Sequence, residues 1–283
     1  MLREILDLGF TNVELGPGTR PSLLEGIGRF VADHPVTITS LVNYCPLPSD
    51  ENRVARFHCL SPVEHERQRA QAWTCQTIDH AAKLGAQAVV IHLGSVPLPP
   101  FSARLVNRIK SGRYLDRGYV RLKLAAIRKR EATACYQRVL DWLYPVVQHA
   151  GDCGVRLGVE NRFRIETFPS EREFRRLFQE VRSGALGYWH DFGNAQIRHN
   201  LTFLNHAEWL AEMVPRLVGC HVHDVQFPDR AHLPVFSGMI SFPELLGKVP
   251  AGVPLVWELD PLVPLAEITK TLREWNKTFA TTV

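Results

Sequence analysis

Four apolar runs in the second half of the chain each end on a polar residue. Val155–Val159 runs into Glu160, Leu186–His190 into Asp191, Leu217–Cys220 into His221, and Val253–Trp257 into Glu258. These polar ends fall 31, 30 and 37 residues apart. A strand with its return helix takes about 30 or more residues, so the pattern predicts repeated strand–helix units. Three further strands are predicted earlier, at about 11–15, 36–42 and 87–92. The runs are continuous rather than alternating, as expected of parallel strands buried on both faces. Helices are predicted between them, at about 22–32, 63–84, 131–150, 170–181, 205–213, 242–246 and 265–279. Ser170 followed by Glu173 spells a capping box at the start of one of them.

The predicted fold class is α/β, a (β/α)8 TIM barrel, laid out as one domain over residues 1–283. Seven strands are legible and a closed barrel wants eight. The expectation is that the first strand belongs ahead of the helix at Leu2, the chain as given starting late, because an open barrel exposes strand edges. The repeat lapses over about 97–129, a long basic insertion. It is expected to cover the active site and to carry some helix of its own.

Composition narrows the picture only slightly. A chain of 283 residues with 45% hydrophobic content suits one barrel of about 250 residues. The formal charge of +4, without a Lys/Arg block or interleaved aromatics, permits an anionic small molecule and argues against nucleic acid. Six cysteines without close pairing point to a reducing compartment. No charged-then-apolar leader and no apolar run of ~18 residues is present, so a soluble cytoplasmic protein without membrane contact is expected. An oligomer is compatible with all of this.

Parallel barrel strands end on one face, so Glu160, Asp191, His221 and Glu258 are expected to become neighbours there. Three carboxylates and an imidazole at one point repel unless something positive sits among them, and a divalent cation is the simplest candidate. Three oxygens and a nitrogen suit Mn²⁺ best, with Mg²⁺, Co²⁺ and Zn²⁺ as alternatives. A purely structural role would need a salt bridge for each carboxylate.

The strings Gly158-Val159-Glu160-Asn161, His190-Asp191-Phe192-Gly193-Asn194, Gly219-Cys220-His221-Val222-His223-Asp224 and Val256-Trp257-Glu258, in this order, resemble the xylose isomerase-like TIM barrel superfamily. That superfamily includes sugar isomerases and epimerases and the endonuclease IV group. The resemblance implies that Glu160, Asp191, His221 and Glu258 ligate one divalent metal. It also implies that Glu160 and Glu258 are the catalytic pair, moving a proton beside a substrate carbonyl through an enediolate. The small-molecule substrate would be a sugar or related polyol ketone, with or without phosphate. A trinuclear site as in the endonuclease-like branch is not expected, because Leu41 and Asn194 stand where that branch has histidines. The Glu160-Asn161-Arg162-Phe163 string, with the basic insertion after His92, is similar to cobamide-remodelling phosphodiesterases, which makes metal-dependent phosphodiester hydrolysis the alternative. A second ion held by His92 and the Asp229/His232 region would favour that alternative. A barrel that keeps its ligands only for stability is the third reading.

Substrate contacts are assigned to His92, Asn161, Arg162, His223, Arg230, Asn194 and Glu14. Asn161 either orients a ligand or touches substrate, and five of the others have a plainer reading: a core histidine for His92, a loop hydrogen bond for His223, a turn anchor for Glu14, and a solvated rim for the two arginines. Asp224 is read as a cap or turn residue and His190 as structural. Tyr188, Trp189, Phe163 and Trp257 are read as packing. His34, His58, His65, His80, His149, His199 and His206 are read as surface residues without convergent partners.

Overall fold

The computed structural model describes residues 2–47, 59–131, 133 and 135–279. In chain order its elements are α1 (Leu2–Asp7), β1 (Asn12–Leu15), α2 (Leu24–Asp33), β2 (Thr37–Val42), α3 (Glu64–Lys83), β3 (Ala88–Ile91), α4 (Phe101–Lys110), α5 (Arg117–Glu131), α6 (Tyr136–Asp152), β4 (Arg156–Glu160), α7 (Glu171–Glu180), β5 (Leu186–Asp191), α8 (Phe192–Asn200), α9 (His206–Met213), β6 (Leu217–Val222), β7 (Asp224–Gln226), β8 (Arg230–Leu233), α10 (Phe242–Leu246), β9 (Leu255–Trp257) and α11 (Leu265–Phe279). Seven parallel strands follow one another as β1-β2-β3-β4-β5-β6-β9, and β7 and β8 form a separate antiparallel hairpin. This is the α/β architecture of the TIM barrel.

The chain divides into two compact units. The first comprises residues 1–96, 134–160 and 168–188. It carries β1 to β4 and the first half of β5. Ala88–Ile91 pair in register with Arg156–Val159, and the Leu157 N–H donates to the Ala185 carbonyl at 2.7 Å. β3 is buried at every position, and each such Val or Ile contributes about 1.5–3 kcal/mol. α7 begins at the predicted capping box, with the Ser170 N–H donating to Glu173 at 2.7 Å.

The second unit comprises residues 97–133, 161–167 and 189–283. It holds the rest of β5, then β6 and β9, and the hairpin. β6 is buried throughout, and Gly219 leaves room there for the Trp189 indole, which a Cβ would strike. The insertion forms α4 and α5. Phe101, Ala126 and Ile165 make a small buried cluster between them and the 161–167 segment. Ser102 fixes that segment by donating to Glu166 at 2.8 Å and accepting from the Ile165 N–H at 2.9 Å. Tyr114, Tyr119 and Lys123 then donate to the Asn200 carbonyl (2.8 Å), the Leu201 carbonyl (3.0 Å) and the Thr202 hydroxyl (2.8 Å). The expected helical content of the insertion is therefore present.

Candidate metal centre

Asp191 is the last residue of β5, and α8 begins at the next residue. It is fully buried. Its Oδ1 accepts from the Asn194 backbone N–H at 2.7 Å and its Oδ2 from the Asn194 side-chain amide at 2.7 Å. An anion is favoured at this helix start by the unpaired N–H groups and the dipole. Asn161 locks the aspartate backbone. Its Oδ1 accepts from the Asp191 N–H at 2.8 Å and its Nδ2 donates to the Asp191 carbonyl at 3.0 Å.

His223 Nε2 lies 3.1 Å from Asp191 Oδ1. Its Nδ1 accepts from the His232 N–H at 3.0 Å, so the proton of the neutral ring belongs on Nε2. Burial alone would weaken this base, but the charge of Asp191, its hydrogen bond and the charge of Glu258 outweigh burial and raise the pKa. Gly193 is what lets the imidazole in, because a Cβ there would overlap the ring.

His221, buried in β6, brings Nδ1 to 3.5 Å from Glu258 Oε2 and meets Trp189 edge-on at 5.2 Å. Glu258 follows β9 and its N–H donates to the Val222 carbonyl at 3.2 Å, so strand pairing sets its position. Its side chain is 44% exposed, against 2% for His221, although Oε2 itself is buried. His232 on β8 stacks on His223 at 4.2 Å, and its Nδ1 stands 3.0 Å from the Glu258 carbonyl. His223, His232 and Glu258 each offer a ligand atom within 4.8 Å of the others. Two carboxylates and three imidazoles in one buried-to-open patch are donors for a divalent transition-metal ion, and they fit one.

In the first unit, Glu160 ends β4 with 1% of its side chain exposed. His92 follows β3 and sets Nε2 against Glu160 Oε2. Glu14 Oε2 accepts from the Ser40 hydroxyl at 2.6 Å, a contact between β1 and β2. Glu160 is joined through its own peptide bond to Asn161, the residue that clamps Asp191.

Other assignments part ways. Arg162 is half-buried. Arg230 is exposed on the hairpin, with Nη1 3.3 Å from Gln226 Oε1, a rim position. Asp229 pairs with Lys110 at 2.7 Å. His232, expected only as part of a second-ion region with Asp229 and His92, is brought beside His223 and Glu258 by the hairpin. Asp224 anchors that hairpin by accepting from the N–H groups of Val225 (2.7 Å), Gly238 (2.7 Å) and Ile240 (3.1 Å). His190 is buried and structural as expected, and Tyr188 and Trp189 are core. His206 corrects the surface reading: it is buried, with Nε2 3.1 Å from His190 Nε2 and Nδ1 3.0 Å from Gln196 Oε1. His149 also departs from it, having Asp79 and Cys153 as neighbours. His58 lies outside the described residues. Among the described residues no helix is long and apolar enough to cross a membrane.

Residues 2–275 match the family described as xylose isomerase-like TIM barrel. The chain belongs to that family. A curated relative, the uncharacterized protein MJ1311 of Methanocaldococcus jannaschii, is 26% identical over 200 residues, covering 69% of this chain and 58% of the relative. The match thus spans a little over half of that relative's length. Among solved structures, a D-tagatose 3-epimerase-like protein has a TM-score of 0.72 at 18% identity, covering 99% of this chain and 92% of that one. The 3-keto-D-glucoside 4-epimerase YcjR of E. coli reaches 0.68 at 16% identity, over 98% and 92%. The D-psicose 3-epimerase of Clostridium cellulolyticum H10, in a structure with D-tagatose, reaches 0.68 at 13% identity, over 99% and 91%. At these identities the likeness is one of fold, and these solved neighbours are sugar epimerases or named for their likeness to one.

Proposed function

We propose that the protein is a divalent-metal-dependent isomerase or epimerase acting on a sugar or related polyol ketone. Asp191, His221, Glu258 and Glu160 would hold the ion, Mn²⁺ being the best match to three oxygens and one nitrogen. The observation that carries this reading is the fixed, buried Asp191, held by Asn161 and Asn194, in the same unit as His221, His223 and Glu258. An ion there would supply a positive charge against the substrate carbonyl and the adjacent hydroxyl. Glu160 takes the proton from the carbon beside the carbonyl, and Glu258 returns one on the opposite face. A solvated carboxylate is a weak base, so this step calls for a dry site, and Glu160 is buried. His92, touching Glu160, steadies its carboxylate and contacts substrate. His223 Nε2–H, Asn161 and Asn194 keep Asp191 oriented. Arg162, Arg230 and Glu14 line the approach of the substrate, and a phosphate on the sugar would be met by the arginines.

The test is solvent exchange. Protein loaded with each of Mn²⁺, Mg²⁺, Co²⁺ and Zn²⁺ is incubated in D₂O with a panel of ketohexoses and 3-keto-glycosides. Deuterium should enter at the carbon beside the carbonyl, together with an epimer or aldose, and Glu160→Gln and Glu258→Gln should each remove it. Exchange into no sugar, with metal content verified, sinks the proposal. A second reading is phosphodiester hydrolysis, favoured by the His223–His232–Glu258 group as a place for another ion. It requires two ions per chain by elemental analysis and release of a phosphomonoester from a phosphodiester.

A further inference from the structure

The first unit contains a cluster that the proposed chemistry does not use. α3 and α6 lie against each other. Cys75 and Asp79 are one helical turn apart on α3, so they share a face. His149, near the end of α6, and Cys153, its C-cap, repeat the same spacing opposite them. His149 Nε2 stands 2.8 Å from Asp79 Oδ1, and Cys153 Sγ stands 3.8 Å from both. The cysteines are free thiols. His149 and Asp79 keep 35% and 45% of their side chains exposed, so an ion could enter from solvent.

We infer that Asp79, His149 and Cys153, whose ligand atoms lie within 4.8 Å of one another, form a tetrahedral Zn²⁺-class site that staples α3 to α6, with solvent as the fourth ligand. One thiolate, one imidazole and one carboxylate are donors that select Zn²⁺ or Co²⁺ over Mg²⁺ or Mn²⁺. Tetrahedral bonds to such an ion place nitrogen and oxygen about 3.4 Å apart, and sulfur about 3.6 Å from either. The sulfur distances already match. The shorter His149–Asp79 contact is that of a shared proton, and it opens by about half an ångström when a cation takes the proton's place. The Cys153 thiol loses its proton to solvent on binding. The site is distinct in chemistry from the sulfur-free centre around Asp191, and that difference makes it separately readable.

Co²⁺ titration of the full chain under a non-thiol reductant tests this. We expect a thiolate-to-cobalt charge-transfer band together with the visible bands of tetrahedral Co²⁺, saturating at about one ion per chain. Cys153→Ser and His149→Ala should each weaken that binding by at least about tenfold, while Asp191→Asn should leave the band in place. Circular dichroism of each variant separates ligand loss from unfolding. Absence of a sulfur band in the folded wild type overturns the site, as does its survival in Cys153→Ser.

Discussion

The buried His190–His206 pair makes folding stability depend on acid in a calculable way. His206 Nε2 faces His190, its Nδ1 faces Gln196, and its backbone N–H donates to His199 Nδ1 at 3.4 Å. Burial, aided by the charge of His199 and opposed by that of Asp191, pushes the His206 pKa from 6.5 down to about 3. Burial, then the neighbouring His206, lowers His190 as well. The unfolded chain therefore binds protons that the folded one refuses. The sign follows: stability is intact above the unfolded pKa of 6.5 and declines as pH falls below it, levelling off only beneath the folded value. Between these limits the loss is set by the unfolded pKa, about 1.4 kcal/mol at pH 5.5 and about 2.7 kcal/mol at pH 4.5 for His206 alone. Urea unfolding at half-unit steps from pH 7.5 to 4.5, for wild type and His206→Gln, checks this. The variant should start less stable, since His190 and Gln196 lose a partner, yet fall less steeply, by about 1.4 kcal/mol per pH unit at the acid end. Parallel curves for the two proteins would refute the account.

Three further outcomes follow from single contacts. Asp191→Asn should weaken Mn²⁺ binding at least about tenfold by titration calorimetry, since the carboxamide oxygen keeps the backbone cap from Asn194 but the charge is gone; unchanged affinity would move the ion elsewhere. Gly193→Ala should destabilise the fold by about 1–3 kcal/mol, because the new methyl meets the His223 ring, and the cost should vanish in the double variant with His223→Ala. Ser170→Ala, at the capping box of α7, should cost about 1 kcal/mol in thermal or urea unfolding and leave sugar turnover untouched.

The strand ends were legible because burial on both faces writes an unbroken apolar run, and the polar residue that closes the run announces itself. Glu160, Asp191 and His221 stand at or near the ends of such runs. Glu258 was legible for the same reason, although β9 is shorter than its run and sits at one end of the strand order, where its positions are only half-buried. The β7–β8 hairpin was not legible. Its strands of three and four residues are too short for alternation to show, so His232 could not be placed beside Glu258. His206 misled for another reason. It opens an eight-residue helix, where two turns give a weak periodic signal, and its partner His190 lies sixteen positions earlier. The cluster on α3 and α6 spans two helices far apart in sequence, and neither i,i+4 pair alone signals an ion.

The helix α8 has the aspartate as its cap at one end and the Asn200–Thr202 turn at the other, a rod of about 13 Å. Tyr114, Tyr119 and Lys123 grip that far end. The basic insertion thus braces the far end of the strut whose near end carries the carboxylate. Trading residues 97–129 for a short linker would slacken the strut, and the aspartate would lose its aim while every donor atom remained in the chain.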